Sequence, residues 1–113
     1  MLLSTTNTIH GKRIVKHFGL VRGNTIRARH IGHDIMALLR NLVGGEISDY
    51  TKLMAESREQ AIDRMVENAK GLGANAILAV RFSTQEIMGG ASEILVYGTA
   101  ALVEDVEEKE ASA

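Results

Sequence analysis

The chain of 113 residues contains no cysteine. Disulfides, thiolate nucleophiles, zinc–thiolate sites and iron–sulfur clusters are thereby excluded, and any metal has to be held by histidine, carboxylate or carbonyl oxygen. No run of about 18 apolar residues occurs, and the opening MLLSTTNTIHGKR has no basic stretch ahead of an apolar one. A soluble, cytoplasmic protein without membrane contact is expected. The four aromatics, two Phe and two Tyr, are scattered. There is no Gly-x-Ser-x-Gly elbow and no paired-carboxylate motif, so the residues favour binding over catalysis.

The length fits one domain, which we place at residues 1–103, with 104–113 as an acidic, solvated tail. That tail holds five acids against Lys109, and residues 1–45 hold seven basic residues against Asp34 alone, so the near-neutral total of −1 hides a charge asymmetry. A basic N-terminal part can attract nucleic acid or an acidic partner. No recognised nucleic-acid motif accompanies it, and it can equally face the acidic positions of this or a neighbouring chain.

The pattern predicts an α+β domain. Met1–Thr6 reads as a short strand at a sheet edge. Arg13–Arg29 reads as strand, bulge at Gly19, turn at Gly23–Asn24 and strand again, with one long bent strand as the alternative. Ile31, Ile35, Leu38, Leu39 and Leu42 recur at helical spacing, which predicts a short amphipathic helix over Ile31–Val43 ended by Gly44-Gly45. A second helix is expected from about Asp49 to Leu72, stopping at Gly71 or Gly73 with Leu72 tucked beneath it. Strands at Ala76–Ile87 and Glu93–Val103 then form an antiparallel hairpin.

The last strand is apolar on both faces, with Ile94, Val96, Ala100 and Leu102 on one and Leu95, Tyr97, Ala101 and Val103 on the other. Such a strand needs two covers. The long helix supplies one, and a second copy of the chain is expected to supply the other, which predicts a homo-oligomer.

Two patterns invite chemistry. In His30-Ile31-Gly32-His33-Asp34 two histidines stand three apart, so on a helix His30 and His33 share a face and can hold a divalent metal ion with Asp34 or His17 completing the shell. A metal-dependent enzyme using His30, His33 and Asp34 is the alternative function this allows. The second pattern is Gly71-Leu72-Gly73-Ala74-Asn75. A phosphate loop needs glycines after a strand and before a helix, whereas here they follow a helix, where the dipole is negative. The segment is therefore read as a helix cap and a close turn onto the sheet, with Asn75 bonding the turn or projecting into a site.

The runs ENAKGLGANAILAVRF, STTNTIHGKRIVKHFGLVRG and HDIMALLRNLVGGE followed by Tyr50 resemble the YbjQ-like family, labelled heavy-metal-binding, from Ser4 to about Val103. The resemblance implies a β-α-β-β subunit of the dodecin-like type, assembled as a homopentameric ring with short extra strands at subunit contacts. Matching positions include Thr5, Thr6, Asn7, Asp34, Arg40, Gly44, Gly45, Tyr50, Gly73 and Asn75. Of these, Arg40, Tyr50 and Asn75 are the candidate ligand-binding residues, Arg40 and Tyr50 for an anion or small ligand at subunit contacts. At His33 relatives of this type are expected to carry arginine, which makes the His-x-x-His pair a feature of this sequence.

Overall fold

The computed structural model describes residues 1–28, 47–87 and 91–106. Its elements are β1 (Leu2–Leu3), β2 (Lys12–Ala28), α1 (Ile47–Leu72), β3 (Ala76–Ile87) and β4 (Ala91–Asp105). They form one four-stranded sheet of order β1-β3-β4-β2, in which β1 runs parallel to β3 and the remaining pairs are antiparallel. The edge strand, long helix and terminal hairpin match the sequence pattern. The expected short helix Ile31–Val43 lies outside the described residues. The principal extents are 61 × 26 × 19 Å. The long dimension follows from β2 itself, since 17 residues at about 3.3 Å each span about 56 Å.

β2 is one bent strand, so the turn expected at Gly23–Asn24 is corrected. Its register with β4 runs unbroken from Gly19 to Ala28, and the bends lie upstream, at shifts between Ile14/Lys16 and His17/Gly19. Gly19 sits at φ 106°, the bulge geometry its position suggested. Gly23 is there for the helix. A Cβ at Gly23 would stand 2.0 Å from the Ala61 carbonyl oxygen and 2.5 Å from the Met65 nitrogen, so α1 lies directly on this backbone.

The helix ends as its glycines require. Gly73 takes φ 91°, its N–H donates to Lys70 O (3.0 Å), and the Ala74 N–H donates to Ala69 O (3.1 Å). This pair of bonds around a left-handed residue is the Schellman stop. Leu72 is exposed rather than tucked under the helix, and Ala74 is the buried residue at this corner.

α1 buries Ala61, Met65 and Ala69 against Val21, Ile77, Val80, Ile94, Val96 and Ala100, with Phe18, Met54, Ile62 and Val66 packed around them. On the opposite face Ala76, Leu78, Ala101 and Val103 form a smaller cluster capped by Ile9 and Ile14. The two faces of β4 thus divide as the alternation predicted.

β3 does not divide that way. Regular alternation puts Leu78 and Val80 together, yet they fall in different clusters. The register slips between Leu78 and Arg81, and Ala79 adopts φ 54°. This extra residue flips the phase, so Val80 joins Ile77 under the helix.

A buried polar pin fixes where α1 lies along β2. Ser57 and Thr25 are both buried. The Ser57 hydroxyl accepts from Arg27 Nε (2.7 Å) and donates to Leu53 O (2.9 Å), while Thr25 Oγ1 donates to Ser57 O (3.2 Å). The first two residues of the expected tail are strand: Glu104 and Asp105 end β4 and pair with Arg13 and Lys12.

Candidate functional site

α1 covers one face of the sheet unevenly. It packs chiefly on β2, less on β4 and scarcely on β3. Among the described residues the other face is covered at one end only, where Ile9 and Ile14 close the smaller cluster. Beyond that cap the described side chains Leu20, Ile26, Tyr97 and Ile87 are exposed. The rows of this face follow from the registers: Arg22, Tyr97 and Arg81 lie side by side on β2, β4 and β3, followed by Asn24, Leu95 and Ser83, then Ile26, Glu93 and Gln85.

This surface is apolar to an unusual degree for one facing water. Leu20 is 70% exposed, Ile26 56% and Tyr97 37%, and Ile87 is also exposed. Of these, Tyr97 lies on the β4 face that the sequence pattern marked as needing a second cover. Two guanidinium groups flank Tyr97 on the same face. Arg81 Nη1 donates to Thr5 O (2.8 Å) and Val80 O (2.9 Å), which ties the N-terminal segment to the strand just past its bulge. Asn24 Nδ2 donates to Glu93 Oε2 at 3.1 Å.

Asn75 is the one predicted ligand-binding residue whose side chain is described. Its Nδ2 donates to Val103 O (2.8 Å), its Oδ1 accepts from the Val103 N–H (2.8 Å), and its own N–H donates to Ala101 O (3.1 Å). The amide imitates a peptide unit and carries the β3–β4 ladder one step past Ala76. Both ends of it are thereby engaged within the chain. Tyr50 lies on α1, where the backbone alone is described, and His30, His33, Asp34 and Arg40 lie outside the described residues. His17 pairs with Ala101 on β4 and is exposed. Among the described residues no group of three or more histidines and carboxylates could hold a metal ion. No helix among them is long and apolar enough to cross a membrane.

Sequence reasoning missed three features: the close approach at Gly23, the Ser57 pin and the bulge at Ala79. A glycine inside an otherwise regular strand pattern was the available signal for the first. The bulge left no signal, because alanine is not a residue that advertises a left-handed backbone.

A family model described as "Putative heavy-metal-binding" matches residues 1–104. The chain belongs to this YbjQ family. Its relatives include a UPF0145 protein of Dehalococcoides mccartyi strain BAV1, 55% identical over 104 residues, covering 92% of this chain and 100% of the relative. A UPF0145 protein of Methanosarcina acetivorans is 53% identical over 103 residues, covering 91% and 97%. One of Pyrococcus horikoshii is 53% identical over 107 residues, covering 95% and 92%. The fold resembles the crystal structure of a protein of unknown function from Pediococcus pentosaceus, described as belonging to the DUF74 family. That match has a TM-score of 0.63 at 17% identity, covering 92% of this chain and 98% of the other. At that identity the likeness speaks to the fold.

Proposed function

We propose that this chain is the subunit of a homo-oligomeric binding or scaffold protein, a pentameric ring as the family resemblance implies, rather than an enzyme. The observation that carries this reading is the exposure of Leu20, Ile26 and Tyr97 on one sheet face among the described residues. At about 25 cal/mol per Å² of apolar surface removed from water, covering even ~200 Å² of it contributes about 5 kcal/mol before association costs. A second copy is the cover, and a ligand is held at the junction between copies.

Family membership brings a metal ion into the reading. The described residues offer no ligand set within one chain, so a site would draw on His30, His33 and Asp34 or on two copies together. Elemental analysis of protein purified without chelators tests this part: a stoichiometric divalent metal that is lost in the His33→Ala variant supports it, and metal at background level removes it.

Assembly is tested by native mass spectrometry of the wild type and the Leu20→Glu variant. Because Leu20 is exposed in the single chain, glutamate there leaves the subunit folded while placing a charge in the junction. An oligomer that breaks down in the variant is expected. A wild-type monomer at micromolar concentration would sink the proposal.

A further inference from the structure

Three strands bring two basic groups and an aromatic one into a single row, and a bulge completes it. Arg22 on β2 pairs with Tyr97 on β4, and Tyr97 pairs with Arg81 on β3. Neighbouring strands stand about 5 Å apart, so the two arginine Cα atoms lie about 10 Å from each other with Tyr97 between them. All three side chains are exposed, on the face opposite the cluster under α1.

Arg81 belongs to this row because of Ala79. With unbroken alternation from Leu78, Arg81 would point to the helix side of the sheet. The residue at φ 54° shifts the phase, so Val80 goes under the helix and Arg81 joins Tyr97. The segment is then fixed from outside: the Ala79 N–H donates to Thr6 O (2.9 Å), the Val80 N–H to Ser4 O (2.9 Å) and Arg81 Nη1 to Thr5 O (2.8 Å). Left-handed non-glycine residues are strained and cluster at binding sites. Burial accounts for Val80, but it gives no reason for two arginines to share a row with no acid between them.

The charge of the row is unmatched among the described residues. The Arg22 guanidinium and the Tyr97 hydroxyl meet no described partner, and Arg81 commits Nη1 to two carbonyls, which leaves Nη2 and Nε. The flanking rows are Leu20, Thr99 and Leu78 on one side and Asn24, Leu95 and Ser83 on the other, none of them a carboxylate. Glu93 follows one row further on, where Asn24 Nδ2 donates to it (3.1 Å). Two positive charges and a phenolic donor thus face one volume, which repels a metal ion and suits a dianion.

We propose that Arg22, Tyr97 and Arg81 bind a phosphate group, free or carried on a small molecule. Guanidinium groups pair bidentately with phosphate oxygens, and two of them match the charge of a phosphate better than that of a single carboxylate. The tyrosine hydroxyl donates a further hydrogen bond. This rests on the binding role proposed above and makes the ligand an anion, at a site separate from any metal ion held by His30, His33 and Asp34.

Isothermal titration calorimetry of the full chain at low salt, with inorganic phosphate, phenyl phosphate and acetate, tests the proposal in the wild type, Arg22→Gln, Tyr97→Phe and Arg58→Gln. Arg58 is exposed on α1, so its variant removes the same charge away from the row. Circular dichroism checks that each variant is folded, and native mass spectrometry reads its assembly. The expected result is one phosphate per chain with a dissociation constant at or below about 1 mM. Binding weakens at least about tenfold in Arg22→Gln and about threefold or more in Tyr97→Phe, and is unchanged in Arg58→Gln. Acetate binds at least about tenfold more weakly than phosphate. Tighter binding of phenyl phosphate assigns the site to an organic phosphate, and the reverse order assigns it to free phosphate. A wild-type assembly that binds no phosphate, or equal losses in Arg22→Gln and Arg58→Gln, overturns the site while leaving the oligomer standing. If the wild type binds none and Arg22→Gln dissociates, the row is matched by an acid of a second copy and the proposal falls. A wild-type monomer that binds phosphate through Arg22 upholds the site and removes the oligomer.

Discussion

Gly23→Ala tests the packing on which the subunit stands. The substitution adds one methyl group, yet the new Cβ would lie 2.0 Å from the Ala61 oxygen, 2.5 Å from the Met65 nitrogen and 3.0 Å from the Arg64 Cβ. Two of these are backbone atoms of α1, so no rotamer change relieves the contact. Relief requires the helix to lift by about 1 Å or more, and that loosens Ala61, Met65, Val21 and Val96 together. Overpacking of this kind costs about 1–3 kcal/mol, and the loss of close contact over the central cluster takes the expected total to about 3 kcal/mol or above. Urea unfolding followed by far-UV circular dichroism, at one protein concentration, reads this as a lower midpoint at unchanged slope. Gly71→Ala is the control: it stands within α1 with nothing within 4 Å of its added Cβ and no positive φ. It is expected to stabilise by about 0.5–1 kcal/mol. If Gly23→Ala falls within about 1 kcal/mol of wild type, the close helix-to-sheet approach is refuted.

Three further outcomes follow from the hydrogen bonds and ion pairs. Asn75→Ala removes both side-chain bonds to Val103 and is expected to cost about 1–2 kcal/mol, with faster amide exchange at Val103, because water replaces the amide only in part. Ser57→Ala leaves Arg27 Nε without its buried acceptor and is expected to cost about 1–3 kcal/mol in the same urea assay; a neutral result would mean that the pin does not set the helix position. Lys12→Met breaks the exposed pair with Asp105 and should shift stability by less than about 1 kcal/mol, with the difference shrinking further in 0.5 M salt.

Much of the fold is written in the periodicity. The spacing of Ala61, Met65 and Ala69 marks the buried stripe of α1, and the double apolar pattern of β4 marks a strand covered on both sides. What periodicity does not carry is phase. Val80 changes face because Ala79 adds a residue at φ 54°, a conformation fixed by the Thr6 carbonyl that takes its N–H rather than by its own side chain. Gly23 reads equally as a turn or as a contact point until the helix is placed over it. The candidate site is less legible. Asn75 bears the side chain of a ligand-binding residue, and its amide completes a ladder with Val103, a partner 28 positions away that no local pattern identifies. The demand for a second cover was visible from β4 alone. Which residues of β2 and β3 would share that face depended on registers set by bulges.

In the proposed homo-oligomer the face around Leu20, Ile26 and Tyr97 is covered by another copy of the chain. Native mass spectrometry of the wild-type protein, diluted from about 50 to about 1 μM, tests it most directly, a range in which interfaces with dissociation constants below about 1 μM, or about −8 kcal/mol, stay formed. One dominant species at an integral multiple of 12.3 kDa is expected, fivefold for the pentameric ring. A single species at 12.3 kDa across the whole range would contradict the proposal.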